Sequence, residues 1–293
     1  MKKSSTTIFW LSLLVALLAA VYAGAGLFAQ GGKGAFLFTN LYGGTVEIYG
    51  RGIYHNDSTF RALIFRGTDA VTLFICVPAL VFASVLYRRG SLRGHLFLTG
   101  MLGYFTYNAA SLALGAFYNN LLLVYIGCFS ASLFAFILAL CSLDLSVLSA
   151  RTSQNLPRRW IAVFLFVAGL SLMVWVVDIV VALFRGGIPN HLGHYTTEAT
   201  YTLDLGVILP GVYLTGILVL RRHPLGTLLA CVFILLNLTV GLVVAGQTTL
   251  QVLNGIVLTP GQFAAYVAPF IFLSLIAAIL LVSILRNISE PVG

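Results

Sequence analysis

Charge is scarce in this sequence, and acidic charge scarcest. Of 293 residues only eight are Asp or Glu, against 16 Lys or Arg, and charged residues make up 8% of the chain. A soluble globular domain carries about 25%, so that class is excluded. Cysteine occurs four times, at Cys76, Cys128, Cys141 and Cys231, always inside an apolar run and never at CxxC spacing. That speaks against a disulfide framework or a zinc knuckle and leaves small buried hydrophobes. The chain has no P-loop, no HExxH, no GxSxG and no dinucleotide-binding fingerprint. No apolar run holds the histidine pair of a haem-binding bundle. None holds a lysine, which removes a retinal-type Schiff base. No cofactor is expected.

What the chain has in abundance is apolar length. Residues are 60% hydrophobic and the mean hydropathy is +1.02. Repeated runs of about 20 apolar residues predict helices that cross a bilayer. The fold class is an all-α membrane protein, a bundle of about eight transmembrane helices in one integral membrane domain, 1–293. The spans are expected near 8–29, 68–87, 95–117, 120–142, 160–184, 203–220, 225–246 and 262–285. The net charge of +8 does not point to nucleic acid, because the basic residues stand singly or in pairs at helix ends. Lys2, Lys3, Arg88, Arg89, Arg93, Arg151, Arg158, Arg159, Arg221, Arg222 and Arg286 all fall on one side of an eight-span weave. Lys33, Arg51, Arg61, Arg66 and Arg185 fall on the other. That excess puts both termini in the cytoplasm. For the first run a second reading stays open. Two lysines, an apolar core and Val21-Tyr22-Ala23 also fit a cleaved signal peptide, which would leave seven spans.

Residues 30–67 form the longest extracytoplasmic loop. Ala35–Tyr42 and Thr45–Tyr49 flank Gly43-Gly44 and predict a small hairpin. Ser58 is placed to cap a short helix, Thr59–Arg66, with Arg61 facing water. Two readings stay open for a further pattern: an internal repeat that would divide the chain into four-helix halves, 1–150 and 151–293, or features that any such membrane helix tends to carry. Thr68-Asp69, Pro78 and Arg88-Arg89-Gly90 in the second span parallel Leu203-Asp204, Pro210 and Arg221-Arg222-His223 in the sixth. The aspartates lie nine and six residues before their prolines. Halves of this kind would be related by an axis along the membrane normal.

Tyr195-Thr196-Thr197-Glu198-Ala199-Thr200-Tyr201, running on to Leu203-Asp204-Leu205-Gly206, Pro210 and Arg221-Arg222, resembles a pattern in a widespread group of bacterial integral membrane proteins of unknown function. Tyr49-Gly50-Arg51-Gly52-Ile53-Tyr54 and Gly67-Thr68-Asp69 resemble that group too. The resemblance implies a bacterial cytoplasmic membrane and carries no activity.

The polar groups concentrate in His194–Asp204, where two carboxylates, two tyrosines, four threonines and a histidine share eleven residues. Asp178 is placed about 6–9 Å below the outer membrane edge at 1.5 Å per residue, where a charge costs several kcal/mol. Tyr104, Tyr107, Asn108 and Ser111 fall at i, i+3, i+4 and i+7 and predict a polar stripe that could partner it. Asp69 and Asp204 are expected in the first turns of helices that start at the outer face, where the helix dipole favours a carboxylate. Candidate ligand-binding residues are therefore Asp178, Asn108, Tyr104, Tyr107, Glu198, Asp204 and Asp69. His191, His194 and Glu198 are a weaker metal set, because Gly193 interrupts any helix that would present both histidines.

Three functions fit these residues. The first is binding or transport of a small polar or cationic solute through an outward-facing acidic and aromatic pocket, with a homodimer as one way to supply more spans. The second is a structural, sensory or assembly component. The third is a membrane-embedded enzyme acting at the outer face through His194, Glu198 and Asp204. Beyond the lipid bilayer and such a ligand, no partner is implied.

Overall fold

The computed structural model describes residues 5–189 and 192–290. It is a helical bundle. Among the described residues, seven helices are long and apolar enough to cross a membrane. An eighth, α4 (Leu92–Gly115), has the length for it at 24 residues. It is less apolar because its inner face carries Thr99, Tyr104, Thr106, Tyr107 and Asn108.

The first crossing is α1 (Thr6–Phe28), capped by Ser5. Next come two short strands, β1 (Phe36–Thr39) and β2 (Thr45–Ile48), paired antiparallel with Phe36 opposite Ile48 and Thr39 opposite Thr45. Asn40 shapes the turn: its side-chain oxygen accepts from the Tyr42 and Gly44 N–H groups, at 3.0 and 2.8 Å. The predicted hairpin is there, with shorter strands.

Ser58 caps α2 (Thr59–Val71) as expected, accepting from Arg61 N–H. The helix does not stop at Arg66. It runs on through a π-turn, Thr72–Cys76, into α3 (Val77–Arg88), so the second crossing is Thr59–Arg88. Gly67, which reads in sequence as a break, is helical. Its missing side chain serves packing instead, since a methyl there would lie 2.4 Å from the Gln247 Cα. Small residues at helix crossings let backbones approach closely where hydrophobic association is weak.

The chain continues through α4, α5 (Leu122–Ser142), a short α6 (Leu145–Arg151) and α7 (Arg158–Ser171). A break at Leu172 separates α7 from α8 (Met173–Arg185). The sixth crossing repeats the form of the second. It runs from α9 (Ala199–Leu203) through a π-turn, Asp204–Ile208, into α10 (Leu209–Leu220). The long α11 (Pro224–Leu253), α12 (Pro260–Tyr266) and α13 (Ala268–Arg286) complete the bundle. Helices α4 and α11 pack on each other at the centre. Around them α2, α10 and α13 lean on α11, and α3, α5 and α9 lean on α4.

The second and sixth crossings match at a constant offset. Thr72 and Asp204 open the π-turns, 132 residues apart (204 less 72). Pro78 and Pro210, and Gly94 and Gly226, keep the same interval. Buried positions follow it too: Leu80 with Val212, Ala83 with Thr215, Ser84 with Gly216, Tyr87 with Val219. Gly94 and Gly226 each press on the last turn of the preceding helix; a methyl would lie 2.8 Å from the Leu86 carbonyl carbon or 2.6 Å from that of Leu218. Gly90 and Arg222 share a left-handed backbone, φ 80° and 57°. In this register Asp204 answers Thr72, and the two aspartates do not correspond.

The loops sort onto two faces. On one, Ser5 N–H donates to the Tyr87 hydroxyl at 2.7 Å. There too Glu290 accepts from the Ser91 hydroxyl and the Leu92 N–H at 2.7 and 2.8 Å, and Ile288 bridges to Thr152. The hairpin and the segment from Leu192 to Glu198 lie on the opposite, hairpin face, joined where Asn40 Nδ2 donates to the Gly193 carbonyl at 2.8 Å.

Candidate functional site

Among the described residues the buried aspartates each accept from a tyrosine hydroxyl, the buried Glu198 pairs with Arg61, and these polar clusters fall into three groups.

The first group closes the hairpin face. Asp57 is 1% exposed. Its Oδ1 accepts from the Tyr195 hydroxyl at 2.7 Å and from the Phe117 N–H at 2.9 Å. Burial raises its carboxyl to about 6, against the opposing pull of those two donors. Arg61 reaches inward to form a two-pronged pair with Glu198, one arm at 2.7 Å, and lies 4.6 Å from the centre of the Tyr195 ring. Expected to face water, Arg61 is instead the ion-pair partner of a buried acid. Burial alone would raise the Glu198 carboxyl, but the Arg61 guanidinium prevails and holds it below its ordinary 4.5. His194 stacks on Phe117 with ring centroids 5.4 Å apart, and Nε2 meets the Asn56 carbonyl at 3.0 Å. Burial, with the charge of Arg61, lowers its pKa.

The second group lies deeper, between α1, α2, α4 and α5. Asp69 is fully buried, and its Oδ2 accepts from the Tyr54 hydroxyl at 2.7 Å. The expectation that Asp69 sits in an outer first turn is corrected. Because α2 starts at Thr59, Asp69 stands nearly three turns into it at about 3.6 residues per turn. Asn108 donates to the Tyr22 hydroxyl at 2.9 Å, and Thr72 and Tyr104 share a hydrogen bond of 2.7 Å.

The third group is bound to the second π-turn. Asp204 accepts from the Tyr107 hydroxyl and the Trp175 indole N–H, both at 2.8 Å. Tyr201 stacks on Trp175, centroids 5.1 Å apart, and its hydroxyl donates to Asp178. Asp178 and Trp175 are half-buried. Helix α8, which carries both, buries only Ala182. Helix α2, which carries Asp69, buries seven of its 13 residues.

The structure therefore splits the expected site. Tyr104 and Asn108 face the second group and Tyr107 the third, because positions i+3 and i+4 are about 100° apart around a helix. Asp178 finds Tyr201 and not the stripe on α4. Glu198 and Asp204 are tied to different partners. No hydrogen bond joins His194, Glu198 and Asp204, whose partners include Asn56, Arg61, and Tyr107 with Trp175, respectively. Both Glu198 oxygens are taken by Arg61. Among the described residues no three His, Cys, Asp or Glu converge on a metal position. His191 lies outside the described residues.

Sequence reasoning gave no site role to Tyr22, Tyr54, Arg61, Tyr125 and Trp175, and considered Asp57 only as an added ligand to the histidine set. The signal for some of them was available: Tyr54 and Asp57 flank His55 in a loop otherwise poor in acids. A cavity of about 460 Å³ opens where α11 turns into α12, lined by Val252, Ile256, Val257 and Phe263 among others. It holds no charged side chain and shares no residue with the polar groups. No family model, curated protein or solved structure matches this chain.

Proposed function

We propose that this multi-pass membrane protein binds a small cationic solute from its hairpin face, as a binding or transport protein. The carrying observation is the third group. Two carboxylates, Asp178 and Asp204, are linked through a stacked Trp175–Tyr201 pair on a thinly packed helix. Carboxylates attract a cation, and aromatic faces favour an ammonium or guanidinium by about 0.5–2 kcal/mol through cation–π contact. The half-buried position of Trp175 and Asp178 supports entry from outside.

In this reading the hairpin face is extracytoplasmic and both termini are cytoplasmic, in a bacterial inner membrane, as the basic residues favour. The constant 132-residue offset supports a chain built of two four-helix halves related by an axis along the membrane normal. The π-turn niches then correspond, one holding Thr72 and the other Asp204. π-turns interrupt helices at functional sites often enough to support that assignment.

The chain has three tryptophans, and Trp10 and Trp160 are exposed. Replacing both with Phe leaves Trp175 as the single reporter. Titration of that protein with tetramethylammonium, guanidinium and alkylammonium salts is expected to give a saturable fluorescence change. Asp178→Asn or Asp204→Asn should abolish it. A signal that fails to saturate for every cation, or that survives both substitutions, would remove the reading.

A further inference from the structure

We propose that Asp69 is a proton-binding site, held as a neutral carboxylic acid in the membrane interior with Tyr125 as the acceptor of its proton. The inference is independent of the solute site.

Asp69 makes one hydrogen bond, from Tyr54 to Oδ2, and its Oδ1 has no partner although it is buried. The Tyr125 hydroxyl is also buried and makes no hydrogen bond of ordinary geometry. Tyr125 stands edge-on to Tyr22 with centroids 5.7 Å apart, Tyr54 and Asn119 are its polar neighbours, and the charge of Asp69 reaches its hydroxyl. On the α1 side the carboxyl lies against bare backbone. A methyl at Gly26 would come 1.8 Å from Oδ2 and 3.0 Å from the Tyr54 ring. That leaves no room there for water to solvate a charge.

No cation forms an ion pair with Asp69, and Arg66 acts on it only from a distance. On its own helix the nearest basic side chain is Arg66, which donates to the Tyr49 hydroxyl at 2.7 Å and to the Leu27 carbonyl at 3.2 Å. The polar groups facing it are Tyr22 from α1, Tyr104 and Asn108 from α4, Tyr125 from α5 and Tyr54 from the loop. All are neutral. Asp57, beyond Tyr125, is acidic and would repel a second charge. A buried carboxylate with one hydrogen bond and no counter-ion is strongly disfavoured. One proton resolves both defects. It makes Oδ1 a donor and gives the Tyr125 hydroxyl a role as acceptor, so two unmatched atoms satisfy each other. The proton comes from water on the hairpin face, where the second Asp57 oxygen is likewise buried and unmatched.

The test is infrared spectroscopy of the whole purified protein in mild detergent, with and without carbon-13 aspartate, at mildly alkaline pH where surface carboxyls are ionised. Wild type is expected to show a protonated-carboxyl C=O stretch that moves on labelling. Asp69→Asn should lose that band and remain folded, since the amide mimics the neutral acid. Tyr125→Phe should shift the band upward by removing its acceptor, and Tyr54→Phe should shift it as well. If wild type shows no aspartic acid band, the proposal is overturned whatever the variants do. A band that neither tyrosine substitution moves would overturn it equally.

Discussion

The two π-turn niches share a backbone and differ in enclosure. In the first, Thr72, Tyr104, Asn108 and Tyr22 are all at or below 5% exposure. In the second, Asp204 and Tyr201 are buried but their partners Trp175 and Asp178 are half open. The difference traces to the helix beside each niche. Helix α1 is continuous and packs along α2, α3 and α5. Beside the second niche a turn at Leu172 separates α7 from α8, and α8 presents Val177, Leu183 and Phe184 outward. A continuous helix seals a polar cluster and makes it a matter of stability. A broken one leaves the cluster within reach of solutes, which is where recognition can occur.

The largest effect is expected where the halves join. Arg61 is on α2 and Glu198 caps α9, and both side chains are nearly buried. Arg61→Met strands the Glu198 carboxylate, at a cost of about 3–5 kcal/mol. Adding Glu198→Gln should recover most of that loss in thermal unfolding. If the double variant is no more stable than the single, the pair does not hold the halves together.

Next in size is a pH effect at Asp57. Its carboxyl rises from 3.8 to about 6 on folding, so ionising it costs stability. The Asp57 contribution is fully present below pH 3.8 and lost as pH rises past about 6, a change of about 3 kcal/mol. Asp57→Asn keeps an acceptor oxygen for Phe117 and Tyr195 and should remove that loss. Glu198 and His194 run the other way, the first losing stability as pH falls below 4.5 and the second as it falls below 6.5. Both are common to wild type and variant, so the difference between their stability curves isolates Asp57. Parallel curves from pH 4 to 7 would contradict its raised value.

Two smaller contrasts sharpen the comparison of niches. Tyr22→Phe leaves the Asn108 amide in the sealed niche with only its 3.5 Å hydrogen bond to Thr72, and should cost about 1–3 kcal/mol. Trp175→Phe, half open, should cost less than that while weakening cation binding. Equal losses of stability would erase the distinction between a sealed niche and an open one. Within α1 itself, Gly26→Ala drives a methyl into Asp69 and should destabilise by about 1–3 kcal/mol. Gly24→Ala meets nothing within 4 Å and should be neutral or slightly stabilising.

Much of the frame was legible in the residues. Apolar length marked the crossings, and Gly43-Gly44 marked the hairpin. The cap at Ser58 followed from its hydroxyl. The likeness of the second and sixth crossings was legible through Pro78 and Pro210, whereas pairing Asp69 with Asp204 departs from the offset that the π-turns keep. The fate of Arg61 was not legible at all. Position 61 lies at a membrane edge, where an arginine normally extends to water, and only the distant Glu198 turns it inward. The stripe on α4 was seen as one face, yet 100° of rotation divides it between two clusters.

The sequence by itself determined that this chain lives in a bilayer, how many times apolar helices recur, and which few residues carry polarity. Bilayer transfer is a local property: each run of residues meets the hydrocarbon on its own account. Only the tertiary structure decided which polar groups meet. A buried carboxylate is stabilised by whichever donor the packing brings to it, and those donors come from residues up to 138 positions away, as Tyr195 does for Asp57. Which acids are sealed, which are open and which lack a partner depends on how α1 and α8 pack, and no stretch of sequence contains that alone.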